Sequence, residues 1–396
     1  MATHEVVLCA PVRTAIGAFN GSLKTTPAVE LGAAVVRAAV ARAGLDPAKV
    51  DSVLMGNVVQ AGNRMNPARQ ASVLGGLPVE VPAMTLNRVC GSGAQAVVSG
   101  ALEILAGESS LVVAGGMENM DLAPYLMPQA RWGARMGHTQ IYDSLLWDGL
   151  NDAFSSQHSG WHTEDLVKDN DISRAEQDRW AERSQQRFAR AQADGLFKDE
   201  IAGIDVKVKG GVQVFDTDES NRPNTTFDAL SKLKPAFRPD GTITAGNAPG
   251  LNSGAAAMIV ADRATAEQLG LQPLARLVSF GVAAVEPGMF GLGPVPAVRK
   301  ALERAGWGTG DVDRYEINEA FAAVPLAVAR KLSLAEDVIN LDGGAVAHGH
   351  PIGATGAILT VRLLHAMRRG QARRGVVTLC IGGGQGIALA LEAIGG

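Results

Sequence analysis

Val36-Arg37-Ala38-Ala39, Arg42-Ala43-Gly44 and Val50-Asp51 return later in the chain as Val298-Arg299-Lys300-Ala301, Arg304-Ala305-Gly306 and Val312-Asp313, displaced by 262 residues. An echo of this kind marks a duplicated structural unit. Each copy reads as an amphipathic helix stopped by a glycine, then a loop leading into a strand, Ser52 to Met55 in one and Arg314 to Ile317 in the other. A second correspondence follows. Gly93-Ala94 opens one apolar helix and Gly356-Ala357 opens another, and both close near a glycine, Gly107 and Gly370. Apolar strands come next, Leu111 to Ala114 and Val376 to Cys380. Strands alternating with helices in both copies predict two α/β halves related by pseudo-symmetry.

The copies then diverge. In the second, Cys380-Ile381-Gly382-Gly383-Gly384 turns almost at once into Ile387 to Leu391, whereas the counterpart in the first, Ala255 to Ala261, is reached only after residues 119–250. The expected organisation is a first half over residues 1–118 completed by 251–270, an insertion over 119–250, and a second half over 271–396. Four of the five tryptophans lie in the insertion, Trp132, Trp147, Trp161 and Trp180. One helix is clear there: Ser173 and Glu176 form a capping box, Trp180, Ser184, Phe188 and Ala191 share a side, and Gly195 ends it. Val206 to Phe215 and Arg222 to Gly241 read as short strands and loops, where ligand contacts concentrate.

With 396 residues and 46% hydrophobic content the chain has ample core for two or three domains. A net charge of -4 argues against a nucleic-acid-binding protein, for which a basic stripe is expected, so any anionic ligand must be met locally. The apolar run Val6 to Ala10 stops at Pro11 and Arg13, too short for a membrane segment, and reads as a first strand. Three widely separated cysteines form neither a disulfide framework nor a zinc spacing, which points to a reducing, cytoplasmic setting.

One of those cysteines stands out. Cys90 lies within Asn87-Arg88-Val89-Cys90-Gly91-Ser92-Gly93, between an extended run, Val81 to Leu86, and a helix, Ala94 to Leu105. Small neighbours leave room for another backbone or a substrate, and the positive helix end is expected to lower the thiol from its free value near ~8.5. The repeat places the loop Gly343-Gly344-Ala345-Val346-Ala347-His348-Gly349-His350-Pro351-Ile352-Gly353 where Cys90 stands in the first half. Two helix mouths then meet, and a thiol beside an imidazole is an activated nucleophile. His348 and His350 find no evident third or fourth ligand, so no metal is expected. Asn318, opening Asn318-Glu319-Ala320-Phe321-Ala322, either caps a helix or serves the chemistry. The glycines after Cys380 suit a tight turn, and no lysine follows as a phosphate-binding loop requires. Cys9 reads as core.

These segments, together with Arg13-Thr14-Ala15-Ile16-Gly17 and Asn66-Pro67-Ala68-Arg69-Gln70, resemble a thiolase over essentially the whole chain, and bacterial acetyl-CoA acetyltransferases and 3-ketoacyl-CoA thiolases in particular. The resemblance implies an α/β thiolase fold, two βαβαβαββ halves in a layered αβαβα core with an inserted loop domain that binds CoA. It implies a reversible ping-pong acyl transfer, thiolysis of a 3-ketoacyl-CoA or Claisen condensation of acetyl-CoA with an acyl-CoA. Cys90 is the implied nucleophile, His350 its base and Cys380 the carrier of the α-proton. His350 and a water on Asn318 are implied to hold the enolate oxygen, and the N–H groups of Cys90 and Gly382 the tetrahedral intermediate. For CoA the family pattern falls on Arg222, at the adenine-phosphate end, and on Leu150, His158, Ala245 and Phe237. CoA and acyl-CoA are the implied substrates, with no further cofactor and neither membrane nor nucleic-acid partner. A homotetramer, built as a dimer of dimers, is the implied assembly.

The chain departs from the family pattern at the pocket. Ser159 stands where relatives carry methionine and is followed by Trp161; Phe290 also replaces a common methionine; Pro249 replaces a serine, losing a hydroxyl; His348 replaces an apolar residue. The expectation is a reshaped acyl pocket. The alternative these changes raise is a non-catalytic scaffold that binds CoA esters.

Overall fold

A computed structural model describes residues 4–208 and 210–394. Nine strands lie on one continuous path: β1 (Val6–Arg13), β2 (Ser52–Gly56), β3 (Ala83–Leu86), β4 (Leu111–Asn119), β5 (Asn252–Asp262), β6 (Pro273–Ala284), β7 (Arg314–Ile317), β8 (Arg374–Ile381) and β9 (Gln385–Ala393). Their order is β7-β8-β9-β6-β1-β5-β4-β2-β3: four strands of the second copy mirror four of the first about the join where β1 meets β6 through Val7↔Arg276 and Leu8↔Ala275, and β3 is an extra edge strand of the first. In each copy the strand after the first helix runs parallel to its neighbour, Ser52↔Val112 and Arg314↔Gly375. An antiparallel partner closes each set, β4 with β5 and β8 with β9.

The principal helices are α1 (Ala28–Arg42), α2 (Pro67–Leu74), α3 (Ser92–Leu105), α4 (Ser159–Asp169), α5 (Arg174–Ala193), α6 (Pro294–Ala305), α7 (Ala323–Leu332) and α8 (Thr355–Arg368). Side chains alternate faces along each strand, so β4 sends Val112 and Ala114 to one core and Leu111 and Val113 to another. The first core is central: α3 and α8 share it with both half-sheets, through Val97, Ile104, Ile358, Val361, Leu379 and Leu389. The second holds Leu31 and Val35 of α1 against Val53 and Ile259. The third holds Val298 of α6 and Ala327 of α7 against Ile317 and Val376. The result is five layers, helix, sheet, helix, sheet, helix, as the resemblance implies.

The glycine stops of the echo are real left-handed positions. Gly44 and Gly306 sit at φ +61° and +69°, and Gly107 and Gly370 at +75° and +71°. Gly93 and Gly356 have a different use. A Cβ on Gly93 would fall 2.6 Å from the Ala357 nitrogen, and one on Gly356 2.4 Å from the Ala94 nitrogen. The central helices therefore cross backbone to backbone at their first turns, and this contact brings the two helix mouths together.

The strands β4 and β5 pair from Ser253↔Asn119 to Ala261↔Leu111, although the whole insertion lies between them in sequence. The insertion contributes α4, α5 and the hairpin Ile204–Val208/Gly211–Phe215. The capping box at Ser173 and Glu176 is formed, and Trp180, Ser184, Phe188 and Ala191 are all buried. Two buried ionic hubs dock it. Arg13 of β1 gives Nε to Glu200 at 2.9 Å and its fork to Asp218 at 2.7 and 2.9 Å. Glu319 accepts from Trp180 Nε1 (2.9 Å), Ser184 Oγ (2.8 Å), Asn340 Nδ2 (2.9 Å) and the Val346 N–H (2.9 Å). No helix among the described residues is long and apolar enough to cross a membrane.

Candidate active site

The turn that presents Cys90 is pinned by its neighbours. Val89 adopts φ +44°, a left-handed conformation that is strained for a β-branched residue. Three bonds hold it there: the Val89 N–H donates to Asn87 Oδ1 at 2.9 Å, the Arg88 N–H to Ser92 Oγ at 2.8 Å, and Ser92 Oγ to the Val89 carbonyl at 2.6 Å. The small residues after the cysteine are required by the second half of the chain. A Cβ on Gly91 would meet Ile381 Cδ1 at 2.5 Å, just as Gly93 meets Ala357.

The Cys90 thiol faces a cavity of about 410 Å³ whose walls come from both halves and from the insertion. The core contributes Cys90, His350 and Gly382; the insertion contributes Leu150, His158, Ser159, Phe237 and Pro249; Phe290 closes one side. The expected lowering of the thiol is overturned here. Burial pushes Cys90 up to about 11, against the Gly382 and Cys90 N–H groups that favour the thiolate, and the Glu118 charge adds to the rise. The helix starts only at Ser92, and the field of its end does not offset the loss of water. The resting nucleophile is a thiol that needs a base.

His350 is built as that base. Its N–H donates to Asn252 Oδ1 at 2.9 Å, and its Nδ1 lies 2.7 Å from Thr355 Oγ1. The threonine's single proton is committed to the Pro351 carbonyl at 2.9 Å, so Nδ1 must carry the hydrogen and Nε2 the lone pair. Nε2 has Asn318 Nδ2 at 3.3 Å. Burial lowers the imidazole to about 4, so it is neutral and able to accept a proton at neutral pH. Asn318 is no helix cap: α7 begins at Ala323 with no side-chain cap, and Asn318 is buried against His350 with its Oδ1 unpaired.

Cys380 is the penultimate residue of β8, fully buried and beside Cys90. Burial first, and then the neighbouring Cys90, raise its thiol well above the usual value. The turn that follows, with Gly383 and Gly384 at φ +80° and +83°, delivers the Gly382 N–H to the Cys90 sulfur. Two sulfurs, an imidazole and two backbone donors thus share one crevice.

The insertion wall is also specific in shape. His158 caps α4 by accepting the Gly160 N–H at 2.9 Å, and its ring stacks on Phe237 at 4.6 Å. Burial lowers the His158 imidazole. Several expected positions fall elsewhere. Arg222 is exposed, its backbone N–H bonded to Gln185 Oε1 at 2.7 Å, and neither it nor Ala245 lines the cavity. Trp161 lies under the Arg238 guanidinium, 4.6 Å from the ring centre, and does not line the cavity. His348 is buried against Phe188, outside the cavity, with both ring nitrogens unpaired. Sequence reasoning missed Thr355 and Asn252, which orient His350. Their only signal is a hydroxyl one helical turn beyond Pro351 and an amide at the start of an apolar strand.

Comparison with known proteins follows the same lines. Residues 6–264 match the family description "Thiolase, N-terminal domain" and residues 271–393 "Thiolase, C-terminal domain". The acetyl-CoA acetyltransferase of Pseudomonas aeruginosa is 53% identical over 389 residues, 98% of this chain and 99% of the relative. The beta-ketothiolase BktB of Cupriavidus necator is 50% identical over 394 residues, 99% of this chain and 100% of the relative. Among solved structures, the Bacillus anthracis acetyl-CoA acetyltransferase superposes with a TM-score of 0.97 at 44% identity, covering 99% of this chain and 100% of that one. Human mitochondrial 3-ketoacyl-CoA thiolase superposes with a TM-score of 0.96 at 41% identity, covering 100% of both.

Proposed function

The chain belongs to the thiolase family and is an acyl-CoA acyltransferase of the acetyl-CoA acetyltransferase and 3-ketoacyl-CoA thiolase kind; from that premise we propose how its residues divide the work. Cys90 attacks the thioester carbonyl of an acyl-CoA while Nε2 of His350 takes its proton. The backbone N–H groups of Cys90 and Gly382 receive the oxyanion, as preorganised donors worth a few kcal/mol each. The C–S bond to CoA breaks, Cys380 gives its proton to the departing sulfur, and an acyl-Cys90 thioester remains.

In the condensing direction a second acetyl-CoA then enters. The Cys380 thiolate, a strong base because its buried thiol ionises with difficulty, takes the α-proton. His350, now protonated, and a water on Asn318 donate to the enolate oxygen. The new carbon–carbon bond forms as the Cys90 sulfur leaves, and Cys90 recovers its proton from His350. Thiolysis runs the same steps backwards. The observation that carries this reading is the hydrogen-bond pattern of His350, which assigns the hydrogen to Nδ1 and leaves Nε2 unprotonated in the cavity that Cys90 also lines.

Leu150, His158, Phe237 and Pro249 line the path we assign to the pantetheine arm, Ser159 and Phe290 flank the acyl group, and the exposed Arg222 meets the adenine-phosphate end, with Ala245 beside this path. The loop domain over 119–250 is thus the CoA-binding unit, and CoA thioesters and CoA are the substrates with no further cofactor. A cytoplasmic homotetramer is the assembly we propose, supported by the solvent-facing Tyr125 (70% exposed), Trp132 (81%) and Met136 (96%) on the insertion; sedimentation measures it directly.

The Cys380→Ser variant tests the division of labour. Acylation of Cys90 by acetyl-CoA, followed by mass spectrometry, slows because the CoA sulfur leaves as a thiolate without the Cys380 proton, but the adduct still forms, and exchange of the α-protons into deuterated solvent is lost. Loss of both together sinks the assignment. An intact wild-type protein that never acylates Cys90 restores the scaffold reading that the altered pocket raises.

A further inference from the structure

Glu118 is a fully buried carboxylate that the chemistry above does not use. It stands one residue from the end of β4, and no cation pairs with it among the described residues. Four donors converge on it from two other segments. Oε1 accepts from Asn57 Nδ2 at 2.7 Å and the Val59 N–H at 3.2 Å; Oε2 accepts from the Val58 N–H at 3.0 Å and the Gly353 N–H at 2.9 Å. The first segment follows β2 in the first half of the chain. The second precedes α8 in the second half, three residues after His350.

Both segments touch the crevice. Val58 and Val59 pack with Met120, Leu145 and Ile352 against Cys90. Gly353 is held so closely that a Cβ there would lie 2.6 Å from Glu118 Oε2, and one on Gly56 would lie 2.7 Å from both the Gly353 carbonyl and Ser92. The carboxylate is a spacer set between the two duplicated halves, and its charge is felt at the nucleophile. Of the titratable groups around that thiol, Cys380 and His350 across the interface and His158, His162, Asp148 and Asp152 on the insertion, Glu118 is the charge acting on its ionisation.

We propose that Glu118 is a positioning residue for acyl transfer: by gathering the N–H groups of Val58, Val59 and Gly353 it holds the His350 loop against the Cys90 turn, and its charge adds to the burial that keeps Cys90 a thiol until the base acts. This rests on the roles assigned to Cys90 and His350. Burial pushes Glu118 up to about 7, so its charge is full only above neutrality, and the restraint on the thiol strengthens as pH rises.

The test compares wild type, Glu118→Gln and Glu118→Asp in the full-length protein. Glutamine keeps the shape, loses the charge and turns an amide N–H towards donors. Its kcat falls about tenfold or more while KM for CoA stays within about twofold, because geometry at the reacting atoms is lost and CoA binding is not. Alkylation of Cys90 by iodoacetamide, followed against pH, moves to lower pH, with a rate on the order of threefold higher at a fixed alkaline pH. Aspartate keeps the charge but not the reach, so it restores the alkylation profile and not kcat. If Glu118→Gln does not fold, the aspartate variant alone still decides, through a fall in kcat at an unchanged alkylation profile. A folded Glu118→Gln protein with wild-type kcat, or with a wild-type alkylation profile, overturns the proposal. The acyl-Cys90 adduct is measured in the wild type alongside: its absence there defeats the nucleophile assignment, whereas its presence leaves the variants to judge Glu118.

Discussion

The two halves of the chain place equivalent strand pairs side by side and connect them in opposite ways. In the second half, β8 turns into β9 through Gly382, Gly383 and Gly384, and that turn carries a backbone donor to the Cys90 sulfur. In the first, β4 and β5 pair just as closely, but the chain leaves at Asn119 and returns at Asn252 after building the wall that carries Leu150, His158, Ser159 and Phe237. A short link gives chemistry with no room to spare. A long link gives a roof that can be reshaped without disturbing the sheet beneath. Of the cavity residues singled out from the sequence, Ser159 and Pro249 fall on the long link and Phe290 on the second half.

Four measurements break or sharpen that contrast. The largest effect belongs to the shared crevice itself: Cys90→Ser lowers turnover by about 10³-fold or more while leaving thermal unfolding unchanged, because the thiol is the nucleophile and contributes little to packing. Calorimetry beside a steady-state assay distinguishes this from a folding defect. Next, Arg13→Met strips the counter-ion from Asp218 and Glu200, which are buried and lie on the insertion. Denaturant unfolding then shows a loss of about 3–5 kcal/mol, with KM for CoA raised as the roof loosens; a change near zero means this anchor does not dock the insertion.

The short link gives the third. Gly384 sits at φ +83°, and a Cβ there would meet the Val285 carbonyl at 2.4 Å. Gly384→Ala costs about 1–3 kcal/mol through backbone strain and lowers kcat by displacing the Gly382 donor, leaving KM for CoA close to its wild-type value. Equal damage to both constants erases the distinction between the links. The smallest effect is one of pH. His350 is lowered from 6.5 to about 4 in the fold, so stability declines as pH drops from about 6.5 towards 4, where the unfolded chain takes up a proton that the native state refuses. Glu118 is raised from 4.5 to about 7, so its contribution has the opposite sign and grows as pH drops from about 7 towards 4.5. His158, His348 and His365 are lowered by burial in the same sense as His350. Replacing His350 with asparagine removes one of these penalties, and the variant gains stability relative to wild type on acidification between pH 6.5 and 4.

Much of this architecture was legible in the sequence because duplication doubles every signal. The helix of Val36 to Arg42 is one amphipathic run among many until Val298 to Arg304 repeats it with the same glycine stop. The capping box at Ser173 is local chemistry and needed no tertiary information. The ionisation of Cys90 was misread for a physical reason: a helix end acts over one turn and is visible in a sequence, whereas desolvation depends on what the other half and the insertion lay over the thiol. Asn318 belongs to the same class, since only the folded chain sets it against His350. Glu118 left one faint trace, a lone acid in the apolar run Leu111 to Asn119. Arg222 and Ala245 rest on likeness alone, and both are exposed residues that the cavity walls do not include.

The backbone crossing at Gly93 and Gly356 bears on how such a protein can be divided. Neither repeat contains a working set of reactive groups, because one holds the first sulfur and the other the imidazole and the second sulfur. The chain is in effect a dimer whose partners have been tied together, with catalysis located at the seam. Cut at the seam, neither piece holds a full reactive set, and a methyl group at either glycine of the crossing would press on the facing backbone and force the two mouths apart.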